Sequence, residues 1–311
     1  MAGGRTLIVG TRGSRLALRQ TDLAIEALRA RQPDLHVEVR EIRTEGDRSK
    51  ASLMEIGGQG VFVKELEGAL LRREVDIAVH SLKDVPNDLG DGLTLAAVLP
   101  RADPRDALVT RGGATLAELP ASARIGTGSA RRAVQLRLLR PDVEPVDIRG
   151  NVDTRVRKVD EGEFDAAVLA VAGLERLGLL DRASQVFEPA AMLPAVGQGA
   201  LALEARADDT TVIELLAAID HRDSRLACEA ERSFLAALGG GCRLPFGALA
   251  TVAGDALHAR GFISDTEGVR FFRADVSGVA SDAHRVGAEL AKALLAQGAA
   301  AFVEGAVGTE L

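Results

Sequence analysis

Residues 6–28, TLIVGTRGSRLALRQTDLAIEAL, change their hydrophobic period part-way along, and that change decides the fold class. Residues 6–9 are a short apolar run closed by Gly10, which reads as a strand. From Ser14 onward Leu16, Leu23, Ala24 and Leu28 recur near one face at helical spacing, with arginines on the other. The same alternation continues outward. Leu35, Val37 and Val39 alternate with His36, Glu38 and Arg40, a strand with one wet face. Phe62, Leu66, Ala69 and Leu70 return to helical spacing, and 75–79 and 93–98 read as strands. The alternation predicts an α/β domain with a largely parallel sheet.

The pattern restarts after Pro100. Strands are expected at 107–110, 124–125, 146–148 and 166–170, and helices at 130–139, before Pro141, and at 151–159. No convincing sequence repeat links the two halves. Residues 188–199 are rich in Pro and Gly and read as a connector, followed by a strand at 201–204 and a helix at 212–219. A long amphipathic helix over 222–238 stops at Gly239-Gly240-Gly241. The remainder reads as a small α+β unit, with strands near 248–252, 256–263 and 269–276 and a helix over 282–296.

A chain of 311 residues predicts two or three domains, and 47% hydrophobic with 27% charged residues suits a soluble protein with a proper core. No apolar run is long enough to cross a bilayer, and MAGGRTLIVG lacks the features of a secretory signal, so the expected location is the cytoplasm. A net charge of −7 argues against general nucleic-acid binding. Two cysteines and five scattered histidines give no metal-site spacing, so no metal is expected. Of the 38 basic residues 33 are arginines, which codon bias alone could produce, so their positions matter more than their number.

Three segments carry candidate chemistry. His80-Ser81-Leu82-Lys83-Asp84-Val85-Pro86 follows a strand directly, and ligand crevices in α/β sheets lie beyond the carboxyl ends of strands. Asp84 could there stabilise a cation, although a Lys-Asp surface pair at a turn reads the same way. In Leu238-Gly239-Gly240-Gly241-Cys242-Arg243-Leu244-Pro245, the glycines free the backbone and Arg243 favours a thiolate on Cys242. Spacing alone leaves a helix stop with an incidental thiol equally open. The third feature is a set of arginines at loop-to-helix junctions: Arg12 before Ser14, Arg131 and Arg132 after Gly126-Thr127-Gly128-Ser129, and Arg149 and Arg155 around Gly150-Asn151-Val152-Asp153-Thr154. Helix N-termini and guanidinium groups together suit carboxylate recognition, so 126–132 reads as an anion cradle. A solvated face is the alternative for any single arginine.

The segments 80–86, 239–245 and 149–155 resemble the porphobilinogen deaminase (hydroxymethylbilane synthase) family. So do Leu193-Pro194-Ala195-Val196-Gly197-Gln198-Gly199-Ala200, Asp103-Pro104-Arg105-Asp106, and the stretches 57–67 and 169–174, in order along nearly the whole chain from Gly10. The likeness fades after about Pro245.

The resemblance implies two lobes like those of periplasmic binding proteins, with mixed, mainly parallel sheets, a cleft between them and a small C-terminal α+β domain. The expected division is 1–99 with 200–220, 100–199, and 221–311. The resemblance also implies a dipyrromethane cofactor joined by a thioether to Cys242. Four porphobilinogen molecules would be condensed on it, with loss of ammonia, into linear hydroxymethylbilane for haem biosynthesis. Asp84 becomes the expected catalytic group. Lys83, Thr127, Ser129, Arg131, Arg132 and Arg155 are expected to hold the cofactor, and Arg12, Ser14, Arg149, Arg155 and Arg176 the substrate. Phe62 packs either against a pyrrole or in the core, and 57–60 reads as part of a loop over the cleft. A monomer is expected, passing its product to the next tetrapyrrole enzyme. Gln59 stands where the family often has a basic residue and Gly128 where serine is common, and Gly13 and Asp153 also depart from the pattern. Cys228 reads as a small core residue. A receptor that closes on an anion without reacting it, and an inactive relative with a structural role, are the rival readings. Asp84 and Cys242 weigh against both.

Overall fold

The computed structural model describes residues 6–43, 63–239, 244–301 and 303. The period change in 6–28 becomes strand β1 (Leu7–Thr11) and helix α1 (Arg15–Arg31). Ser14 is the N-cap, its Oγ accepting from the Ala17 N–H at 3.2 Å. Next come β2 (Val37–Glu41), α2 (Lys64–Leu71), β3 (Ile77–Ser81) and β4 (Leu93–Val98). β3 begins two residues later than its apolar run. Val75 is fully buried, but its N–H bonds the Ala69 carbonyl in the turn leaving α2, so the sequence pattern marked burial rather than pairing.

The next stretch holds β5 (Asp106–Thr110), β6 (Arg124–Gly126), α3 (Ala130–Leu139), β7 (Glu144–Val146), α4 (Val152–Asp160), β8 (Ala166–Ala170), α5 (Val171–Arg176) and β9 (Ala183–Val186). β7 ends where the apolar signal at 146–148 begins, because Ile148 is buried in a loop, packed over Gly126. Two elements have no separate sequence signal. α5 lies in one unbroken apolar run with β8, and β9 is a half-buried strand with polar residues at its centre.

The chain then returns through β10 (Leu201–Arg206) and α6 (Thr210–Ala217). Two five-stranded sheets result, ordered β2-β1-β3-β10-β4 and β7-β6-β8-β5-β9. In the first, β10 runs antiparallel to both neighbours, and in the second β5 does, so four strands of each sheet point one way. The two orders match position for position, a structural repeat with no sequence repeat behind it. One core of the first sheet joins Leu28 of α1 to Ile77, Val79, Leu203 and Leu216; a core of the second joins Leu108, Ile125, Leu136, Val168 and Phe187.

Helix α7 (Arg222–Ala237) leads to an antiparallel meander, β11 (Phe246–Ala253), β12 (Ala256–Ser264) and β13 (Phe271–Val279), and then to α8 (Ala283–Leu294). This part has its own core around Phe234, Leu257, Ile263, Val286 and Leu290. By contact density the chain forms two compact units, 1–101 with 200–225, and 102–199 with 226–311. Gly287 lets α8 lie directly on α7, since a Cβ there would collide with the Ala230 carbonyl. Gly287→Ala is therefore expected to cost about 1–3 kcal/mol through overpacking. A urea titration checks this, and an unchanged midpoint would contradict the close approach.

Candidate active site

In the first unit β1 and β3 are parallel neighbours, Val9 opposite Ile77 and Gly10 opposite Ala78, so both release their chains at one sheet edge. Arg12 leaves β1 there, and Ser14 caps α1 with its oxygen while keeping its O–H proton to donate. Beyond β3, residues Leu82–Asp84 form a single tight turn. Leu82 and Val85 are buried and anchor it, the Leu82 N–H donating to the Ala200 carbonyl at 3.1 Å. Gln20 of α1 donates to Ser81 Oγ at 2.8 Å from the other side. Anchoring the turn by Leu82 and Val85 leaves Lys83 and Asp84 half-buried between them. The Asp84 carboxylate makes no hydrogen bond or ion pair with the described residues. Beneath the turn, buried His80 Nε2 meets buried Glu204 Oε2 at 3.0 Å, a pair from adjacent strands that the sequence did not reveal.

In the second unit β6, β7 and β8 are parallel and likewise open at one edge. Thr127 is buried, its Oγ1 accepting from the Ser129 N–H at 3.2 Å, and Ser129 caps α3. After β7, Arg149 Nε donates to Asp147 at 2.8 Å, and Arg155 Nε donates to the Gly150 carbonyl at 2.7 Å. After β8, Arg176 Nη2 donates to the Gly199 carbonyl at 2.6 Å, and burial pushes its guanidinium down to about 10. The glycine at 128 has a physical counterpart: a Cβ there would sit 3.0 Å from an Asp147 carboxylate oxygen.

Arg131 and Arg132 lie deeper than a surface cradle would place them, each only 6% exposed. Both close on Asp106, the fully buried first residue of β5. Arg131 Nη1 reaches Oδ2 at 2.7 Å, and Arg132 Nη2 and Nε reach Oδ1 at 2.6 and 3.0 Å. Gln198 Nε2 adds a bond to Oδ1 at 2.9 Å. The Leu193 and Val168 carbonyls hold the same guanidinium groups at 2.6 and 2.9 Å. Arg131 Nε and Nη2, in contrast, make no hydrogen bond with the described residues. Burial alone would raise the Asp106 carboxyl, but the two guanidinium charges and their hydrogen bonds outweigh it and hold the group well below the usual carboxylate range.

A carboxyl lower in the folded than in the unfolded chain adds stability above its unfolded value, near 4, and loses it as pH falls further. The urea midpoint should thus drop below about pH 4, and one that stays constant down to about pH 2 would contradict the cluster. Sequence reasoning missed Asp106 and Gln198 as functional partners. The available signal was an acidic residue heading the apolar run 107–109 and two adjacent arginines in need of a counter-charge.

Cys242, Phe62 and the stretch 57–60 with Gln59 lie outside the described residues. α7 ends at Ala237, and Gly239, in the turn that follows, has a φ of 93°, the left-handed conformation of a glycine helix stop. Cys228 is buried within α7. Among the described residues there is no group of three or more His, Cys, Asp or Glu able to hold a metal, and no helix long and apolar enough to cross a membrane.

Each α/β unit thus places cationic and hydroxyl side chains at one end of its parallel strands, and the first also a carboxylate with no partner among the described residues. Family comparison makes this specific. Residues 7–214 match the family model described as porphobilinogen deaminase, dipyromethane cofactor binding domain, and 225–296 match porphobilinogen deaminase, C-terminal domain. The chain is 52% identical over 302 residues to a porphobilinogen deaminase of Roseiflexus sp. (strain RS-1), covering 97% of this chain and 99% of that protein. It is 46% identical to that of Syntrophobacter fumaroxidans, covering 96% and 97%. Among solved structures it is similar to the periplasmic VFT2 domain of BvgS from Bordetella pertussis, at 15% identity and a TM-score of 0.41, covering 69% of this chain and 86% of that one. The chain belongs to the porphobilinogen deaminase family.

Proposed function

We infer that this chain is a transferase that condenses four porphobilinogen molecules head to tail, releasing ammonia at each step and yielding linear hydroxymethylbilane for tetrapyrrole biosynthesis. The observation that carries this is 52% identity across 97% of the chain to a porphobilinogen deaminase. The dipyrromethane cofactor, joined through a thioether to Cys242, supplies the free pyrrole α-carbon on which the product grows.

The donor set fits such a group. A dipyrromethane carries several carboxylates, and Arg131 offers Nε and Nη2 beside a buried, charge-fixed cluster. Arg132, Arg155, Lys83, Ser129 and Thr127 complete the cofactor set. Arg132 already gives Nε to Asp106, so it contributes the second protons of Nη1 and Nη2. Arg12, Ser14, Arg149, Arg155 and Arg176 hold the acetate and propionate of the incoming substrate, with Phe62 against its ring.

Asp84 is the catalytic residue. When the substrate's aminomethyl C–N bond breaks, the electron pair leaves with the ammonia nitrogen and positive charge spreads over the pyrrole. A carboxylate next to the pyrrole N–H stabilises that charge as it forms, and it can accept a proton when the new C–C bond restores aromaticity. A carboxylate with no partner among the described residues suits this, since none of them neutralises its charge in advance. The working division is 1–99 with 200–220 for the lobe bearing Asp84, 100–199 for the arginine lobe, and 221–311 for the domain carrying Cys242. The enzyme acts as a cytoplasmic monomer and passes its product to the next enzyme of the pathway.

The test is stoichiometric turnover of porphobilinogen by the purified protein. One ammonia per porphobilinogen consumed and one bilane per four is the expected result. Binding without ammonia release would instead support a receptor.

A further inference from the structure

Asp106 takes no part in the chemistry above, yet it organises the arginine edge. Side chains at consecutive positions of a helix point about 100° apart, so Arg131 and Arg132 would ordinarily diverge. Here both turn onto one carboxylate that is 0% exposed. Its partners come from separate parts of the chain: the two arginines from α3 and Gln198 from the connector before β10. Two guanidinium groups against one carboxylate leave a single positive charge in excess in a buried place. That surplus suits one further carboxylate, and the unbonded Nε and Nη2 of Arg131 are donors to receive it.

We propose that Asp106 is a positioning residue, fixing Arg131 and Arg132 in the orientation that receives a ligand carboxylate, with Gln198 steadying it. The proposal rests on the function inferred above. It makes a prediction opposite in sign to simple electrostatics. Asp106→Asn keeps the shape and makes the site more positive, so Coulomb attraction alone would speed loading of the polycarboxylate dipyrromethane. Loss of orientation slows loading instead, by about tenfold or more, because bonds between fixed charged groups are lost.

The experiment follows by intact mass the rate at which unloaded wild type, Asp106→Asn and Gln198→Met gain the covalent dipyrromethane from porphobilinogen, with urea unfolding of each to establish that it is folded. The expected result is slowed loading of folded Asp106→Asn. In Gln198→Met, which changes no charge, loading should slow about threefold. A folded Asp106→Asn protein that loads at the wild-type rate or faster overturns the proposal. If Asp106→Asn does not fold, loading of Gln198→Met at the wild-type rate overturns it. A wild-type protein that releases no ammonia from porphobilinogen brings down the functional reading and this proposal together. Normal wild-type turnover with indifferent variants brings down the proposal alone.

Discussion

Asp84→Asn is expected to lower kcat by about 10²–10⁴-fold while leaving the fold intact. The substitution keeps size and shape and removes the charge. Asp84 sits half-buried in a turn that is held by its neighbours Leu82 and Val85 rather than by its own carboxylate. Nothing that stabilises the turn is removed, so the urea midpoint should scarcely move, as for other substitutions outside the core. The loss falls on the transition state, where the pyrrole cation needs a fixed negative partner. Substrate carboxylates still find their arginines, so KM should change far less than kcat. Near-normal turnover in a folded Asp84→Asn variant would remove Asp84 from its role.

Cys242→Ser is expected to abolish stable cofactor attachment and, with it, turnover. Of the two side chains only the thiol ionises appreciably near neutral pH, and an arginine next in sequence would favour the thiolate. Serine at the end of the same Gly239-Gly240-Gly241 run has the reach but not the nucleophilicity. The variant should purify with the mass of the bare polypeptide and remain so after incubation with porphobilinogen. A covalent pyrrole adduct persisting in that variant would mean that another residue is the anchor. Cys228 is a poor substitute, being buried within α7.

The fold was legible wherever the hydrophobic period changed at an element boundary. β1 and α1 follow the change in 6–28, and α3 occupies the expected residues before Pro141. Legibility failed where burial and secondary structure part company. Ile148 and Val75 are core residues in loops, so they look like strand positions without being paired. The β8–α5 junction passes from strand to helix inside one apolar stretch, and no periodicity marks it.

The candidate site could be read from the sequence only as residue types at element boundaries. Arg131, Arg132 and Ser129 were recognisable as residues opening a helix after a glycine-rich turn. Their counter-ion was not, because Asp106 is 25 positions from Arg131 and Gln198 is 92 positions from Asp106. The His80–Glu204 contact spans 124 positions. Such pairings are products of sheet order, and local spacing carries no trace of them. The covalent anchor and the pyrrole chemistry entered through the family resemblance, since a glycine-flanked cysteine alone fits a helix stop equally well.

Cofactor attachment at Cys242 is tested most directly by the intact mass of the denatured protein purified from an ordinary expression host, with peptide mapping of any adduct. The expected mass carries an excess equal to two porphobilinogen units less two ammonias, on the peptide containing Cys242. A protein of bare polypeptide mass that gains no covalent pyrrole after incubation with porphobilinogen, or an adduct mapped to another residue, would contradict it.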